Sequence, residues 1–223
     1  MSIEIINKGV ISIKPTKDIY TELDKAYTYF NRALFVNRLP SCIITMQRIK
    51  GAYGYFCGDT WNETNGDNIT DEISLNPDSF ASRSLEKVLS TLVHEMCHLE
   101  QHHNGKPSNG GYHNKEWGRM MESCGLIPSH TGEEGGRKTG RQMTHYIEQG
   151  GVFEKACNKL VNKGFSISWQ ARTKDKDKDE ATAAKKRATK TKYTCTTCDV
   201  KAWGKEGLNI KCGNCDKVLK SAT

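Results

Sequence analysis

Apolar residues recur at helical spacing in two long stretches of the chain. Across residues 16–35, Ile19, Leu23, Ala26, Tyr27, Phe30, Ala33 and Leu34 fall on one face, which predicts a helix with Thr16 as N-cap and Pro15 just outside it. Across residues 84–101, Leu85, Val88, Leu89, Leu92, Val93, Met96 and Leu99 form the stripe of a buried helix, capped by Ser82 or Ser84. Between these helices, residues 42–48 and 54–60 are rich in strand formers and read as a hairpin around a Lys50-Gly51 turn. A third strand, 72–76, is stopped by Pro77. Residues 113–124 predict a helix ended by Gly125, 153–161 another helix, and 165–169 a short strand, whereas 126–150 carry little pattern. From Lys174 to Lys192 there is no large apolar side chain, the mark of a low-complexity linker. The fold class that follows is α+β: helices packed on a small three-stranded sheet over residues 1–170, a basic linker over 171–192, and a small β module over 193–223.

Charge sharpens that division. The 223 residues carry a net charge of +7, but residues 1–170 hold 19 basic and 19 acidic side chains. The whole excess lies in the linker and the last module, and a basic arm on a neutral body is either a footprint of work near nucleic acid or a solvated linker. No apolar run approaches the ~20 residues that cross a bilayer, and the start, Met1-Ser2-Ile3-Glu4, lacks the features of a signal peptide. A cytoplasmic, DNA- or nucleoid-associated monomer with no membrane partner is therefore expected. In that compartment nine cysteines point to metal binding or catalysis rather than a disulfide framework.

The chemistry centres on the second helix, which reads His94-Glu95-Met96-Cys97-His98. Residues i and i+4 lie one turn apart on one face, so both imidazoles can bind one metal ion, and the carboxylate of Glu95 can reach a water beside it. Nitrogen ligands at this spacing suit zinc, which in a catalytic site takes three protein ligands and leaves a position to water. His102, His103, His113, His130 and His145 are candidates for the third ligand. His113 is favoured, because the loop before it, with Gly105, Gly110 and Gly111, can fold the chain back over the metal. His102 would sit about 6 Å further along the axis than His98, and His102 and His103 read as surface histidines.

Two C-x-x-C knuckles, Cys195/Cys198 and Cys212/Cys215, stand thirteen residues apart in a module too small to build a core unaided. They predict a closed, structural four-cysteine zinc site in a β ribbon, and hence two zinc ions per chain. Tyr193, Lys201, Trp203, Lys205 and Lys211 around them could stack on unpaired bases and neutralise phosphates, while Trp203 could equally be the ribbon's core. Arg137, Lys138 and Arg141 form a second basic patch. The other cysteines, Cys42, Cys57, Cys97, Cys124 and Cys157, read as buried small hydrophobes, with Cys97 facing away from the metal.

A helix, a small sheet, VHEMCH, fourteen residues and then His113-Asn114-Lys115-Glu116-Trp117 resembles the SprT-like metalloproteases, which include the Spartan proteases. The likeness covers about residues 16–125 and extends to the C-terminal module, since bacterial members carry a similar zinc ribbon. It implies a minimal zincin fold, His94, His98 and His113 as zinc ligands, Glu95 as general base, and proteolysis of DNA-bound or DNA-crosslinked proteins. It also implies that the edge strand pairing with substrate is 72–76, an arrangement compatible with the free N–H and C=O groups of any edge strand. Asn114 and Trp117 depart from the family's His-Gly-x-x-Phe pattern, a change expected to affect only loop shape. The leading expectation is thus a zinc endopeptidase acting at DNA, its partners single-stranded DNA or DNA-protein complexes. The alternative is a nucleic-acid-binding or transcription-associated zinc-ribbon protein whose zincin domain is not proteolytic in vivo.

Overall fold

The computed structural model describes residues 14–172 and 191–221; most of the expected linker, 173–190, lies outside the described residues. The chain divides into two compact units, Met1–Arg172 and Thr173–Thr223.

Among the described residues of the first unit, the first element is helix α1, Pro15–Leu34. Pro15 occupies the first turn rather than the position outside it, and Lys14 is the N-cap in place of Thr16. A first-turn proline costs nothing in hydrogen bonding, because the N–H it lacks would have no partner within the helix. Beyond α1 the chain reverses through Val36 and Asn37, both left-handed (φ 54 and 56). The buried Asn31 amide holds this reversal, donating to the Leu39 carbonyl at 2.9 Å and accepting the Leu39 N–H at 3.2 Å.

Three strands follow: β1 (Ile43–Met46), β2 (Gly54–Asn62) and β3 (Ile69–Leu75), in the order β1-β3-β2. The expected hairpin does not form. β1 pairs in parallel with β3, and β2 pairs antiparallel on β3's other side. The central place goes to the strand with most to bury: Ile73 and Leu75 point into the core, and both backbone edges of β3 are satisfied. On β3's opposite face the buried Glu72 carboxylate accepts hydrogen bonds from Thr45, Gln47, Tyr55 and Trp61, knitting all three strands. Burial pushes its pKa up, but the four donors outweigh it and hold the group below the usual range. The edge strands are consequently β1 and β2, with β2 the one packed on the second long helix, and the 72–76 segment lies at the centre.

Helix α2, Leu85–Asn104, begins at Ser84, whose hydroxyl accepts the Lys87 N–H at 3.3 Å. It packs against β2, β3, α1 and the two later helices, α3 (Lys115–Ser123) and α4 (Val152–Asn162). The weakly patterned region contains an antiparallel pair, β4 (Leu126–Ser129) with β5 (Thr144–Ile147). The strand expected at 165–169 is absent; Phe165 and Ile167 instead pack singly on the core. Cys97, Cys124 and Cys157 are buried as expected, whereas Cys42 is half-buried and Cys57 is exposed, because β2 is an edge.

The second unit is an antiparallel sheet, β6 (Thr191–Thr194), β7 (Lys201–Gly204) and β8 (Lys220–Ser221), in the order β7-β6-β8. Among the described residues no helix is long and apolar enough to cross a membrane.

Phe30 is fully buried and stacks on Phe153 of α4 with ring centroids 5.6 Å apart. Phe30→Ala should cost ~3–5 kcal/mol in urea unfolding, the range for truncating a core aromatic.

Candidate metal centre

One face of α2 carries His94 and His98 a turn apart, and the chain ahead of α3 brings His113 to them. A short bridge fixes that approach: the His113 N–H donates to the Gly140 carbonyl at 2.9 Å, and the Gly140 N–H returns to the His113 carbonyl at 3.1 Å. The side chain is held as well, with Nδ1 of His113 3.0 Å from the Gly140 carbonyl. A carbonyl can only accept, so Nδ1 carries the proton and Nε2 keeps its lone pair. That lone pair lies 3.1 Å from Nε2 of His98. Two nitrogens sharing a tetrahedral zinc at ~2.0–2.1 Å would stand about 3.3 Å apart, so the pair is spaced for one ion. One ring nitrogen from each of His94, His98 and His113 lies within 4.8 Å of the others.

His145, one of the candidate ligands, lies behind this trio rather than in it. Its Nδ1 is 3.1 Å from Nδ1 of His94, and its Nε2 is 2.9 Å from the Ser90 hydroxyl. The contact occupies Nδ1 of His94 and leaves the opposite nitrogen for the centre. Trp117 is the floor: fully buried, it meets the rings of His94, His98 and His113 at 4.9, 5.2 and 4.4 Å between centroids. The departure from the family pattern therefore falls on the metal centre itself and not only on loop shape. Asn114 uses its side-chain oxygen to cap α3 through the Trp117 N–H, and its amide N–H groups tie down Lys106 and Ser108.

The remaining histidines are engaged elsewhere. His130 accepts the Arg137 N–H at 2.9 Å, while His102 and His103, expected to be plain surface residues, pair with Asp59 and Asp71. No spacing rule links His145 or Gly140 to the HExxH helix, since the contacts of His145 with His94 and Ser90, and of Gly140 with His113, close between distant parts of the chain.

Burial sets the electrostatics. It drives the His94 pKa well below its ordinary value, helped by the neighbouring histidines, and lowers His98 to about 3 and His145 to about 4. His113 is lowered for the same reason. The three histidines of the trio thus stay neutral, the form that binds metal. Burial moves Glu95 the other way, to about 8. Its carboxylate lies against the start of β2, where Gly54 has no side chain: a Cβ there would sit 3.1 Å from Oε1 of Glu95 and 2.7 Å from the Ser74 carbonyl. The trio and Glu95 open onto a cleft of about 650 Å³, edged by Gly54, Tyr55 and Phe56 of β2 and by Arg141. Within the expected basic patch, Lys138 is paired with Glu122 at 2.6 Å.

In the second unit, the sulfurs of Cys195, Cys198, Cys212 and Cys215 lie within 4.8 Å of one another, a set that could hold one metal ion. Backbone N–H groups of Thr197 and Cys198 lower the Cys195 thiol to about 7, toward the thiolate that binds metal. Lys201, Trp203, Lys205 and Lys211 are exposed, and Trp203, at 63%, is not the core residue. Tyr193 takes that place at 2% exposure, its hydroxyl donating to the Lys205 carbonyl; its ring faces the interior and is not offered to a base.

The SprT-like family model matches residues 23–134, about half of the chain. The chain belongs to the SprT-like family. That family is associated with zinc metallopeptidase-like domains. A Salmonella typhimurium protein described as an "uncharacterized protein in mucB 3'region" is 56% identical over 41 residues, 18% of this SprT-like chain and 55% of that protein. The family match includes His94, Glu95, His98, His113 and Trp117 but stops short of Gly140 and His145.

Opposed pKa shifts make the metal-free protein sensitive to pH in both directions. The histidines, depressed on folding, stabilise it above about pH 6.5, an effect lost on acidification toward pH 3. Glu95, raised on folding, stabilises it below about pH 4.5, an effect lost as pH rises through 8. Urea unfolding of chelator-treated protein should therefore show Glu95→Gln gaining on wild type as pH goes from 5 to 8; parallel curves would refute the shift.

Proposed function

We infer that this chain is a zinc-dependent endopeptidase acting on DNA-bound or DNA-crosslinked proteins. The observation that carries the reading is the convergence of His94, His98 and His113 at a cleft beside a buried Glu95 and an open strand edge. Zinc fits this donor set: three neutral imidazoles within reach of one ion, one of them in a tautomer fixed from behind. A zinc held there supplies Lewis-acid polarisation and a water acidified to a pKa of about 7.

The protein's own groups do the rest. Glu95 takes the proton of the attacking water and passes it to the departing amine as the peptide C–N bond breaks. Burial alone would leave Glu95 protonated at neutral pH, and the charge of a cation beside it restores the carboxylate. β2 offers backbone N–H and C=O groups to an extended substrate, so side-chain selection is weak and recruitment matters more than a specificity pocket. The four cysteines of the second unit would hold a closed structural zinc. Exposed Trp203, with Lys201, Lys205 and Lys211, fits stacking on unpaired bases and contact with phosphates.

The test uses the zinc-loaded full chain, single-stranded DNA and a protein crosslinked to DNA. Cleavage should be stimulated by DNA, and Glu95→Gln should slow it by ~10²–10⁴-fold, the usual contribution of a general base. Equal cleavage by Glu95→Gln would overturn the mechanism. Cleavage indifferent to DNA, or no cleavage together with tight DNA binding, would overturn the assignment of substrate.

A further inference from the structure

A second constellation of metal-ligating groups lies one turn of α2 beyond His98, about 6 Å further along the helix axis. We propose that Asp71, His102 and His103, joined by Asp59, form a separate zinc site that clamps the far end of β2 to the C-terminal turn of α2. His103 Nε2 is 2.7 Å from one oxygen of Asp71, and His102 Nε2 is 3.7 Å from the other and 3.0 Å from Asp59. Consecutive helical residues point about 100° apart, yet both rings converge on one carboxylate. The ligand atoms of Asp71, His102 and His103 all lie within 4.8 Å of one another.

Three further observations favour a cation over a plain set of hydrogen bonds. Asp71 is buried at 3% exposure, and among the described residues its ion-pair partners are these histidines, with no lysine or arginine paired to it. A buried carboxylate without a full counter-charge is costly, and a divalent ion shared with Asp59 removes that cost. Asp59 itself is held left-handed (φ 51) at the register break between Cys57 and Trp61, and its own N–H donates to Asp71 at 2.9 Å, so the bulge carries its carboxylate to His102. Gly58 then gives the His102 ring its room, since a Cβ at that position would lie 2.7 Å from Cε1. Two imidazoles and the Asp71 carboxylate make a three-ligand set suited to zinc, and Asp59, 3.0 Å from His102, is placed to supply a fourth. His102 and His103 keep 27% and 37% of their side chains exposed, which leaves a path for the ion.

This site would fix the edge strand against the HExxH helix, and the binding itself does not rest on the proposed proteolysis. Chelator-treated full chain is titrated with zinc chloride by calorimetry, comparing wild type, His102→Gln/His103→Gln and His113→Gln. The expected result is one fewer equivalent in the double variant and a different equivalent lost in His113→Gln. Unchanged stoichiometry in a folded double variant would overturn the site and leave the HExxH centre untouched. Should that variant not fold, nitrogen-15 spectra of wild type decide. The imidazole signals of His102 and His103 should move to metal-bound positions on adding zinc chloride, and unmoved signals would overturn the proposal. Asp59→Asn, at an exposed position, should weaken the same equivalent at least tenfold; unchanged affinity would remove Asp59 from the set.

Discussion

A buried helix cannot carry two imidazoles and a carboxylate into a protein interior unless something answers each of them, and in this chain that demand organises the first unit. Leu89, Leu92, Val93 and Met96 bury most of α2, so His94 and Glu95, at 8% and 5% exposure, meet solvent only through the cleft. Desolvation forces the imidazoles neutral and makes the carboxylate reluctant to ionise. The surroundings are arranged around that state. His113 arrives on a bridge to Gly140, His145 and Ser90 back His94, and Trp117 closes the floor. An arrangement of neutral nitrogens aimed at one point and a carboxylate awaiting a nearby positive charge is poised for a cation.

The sheet serves the same end from the other side. Because β3 takes the centre, β2 is left as an open edge beside α2, and Gly54 brings that edge into contact with Glu95. The open strand edge, Glu95 and the histidine trio thereby lie side by side along one cleft. Further along the same strand, the bulge at Asp59 reaches back to α2, so β2 meets that helix at Gly54 and again at Asp59.

Local signals account for what the sequence made legible. The apolar stripe of α2, its Ser84 cap and the i, i+4 histidines are readable because helical periodicity is a property of neighbours. The paired C-x-x-C knuckles are legible for the same reason, and their sulfurs do come together. The remaining features are closed by distant partners. Whether β1 pairs with β2 or β3 depends on which strand has more to bury, a comparison no short window contains. The role of His145 depends on β5 lying across from Ser90, 55 residues away. Trp117 reads from sequence as a change of loop shape, and only the packing of α3 under the trio makes it the floor. Tyr193 and Trp203 take the roles of core and surface because alternation along the strands of the small sheet fixes which ring turns inward, and the β6–β7 register places Trp203 opposite Lys192 and Tyr193 opposite Ala202.

The most direct measurement of the central claim is anomalous diffraction at the zinc edge from crystals of the zinc-loaded full chain. A peak is expected within ~2.0–2.1 Å of one ring nitrogen from each of His94, His98 and His113, with Glu95 beside it but outside bonding distance. A zinc bound by Glu95, or by His145 in place of His113, or no peak between these histidines, would contradict that claim.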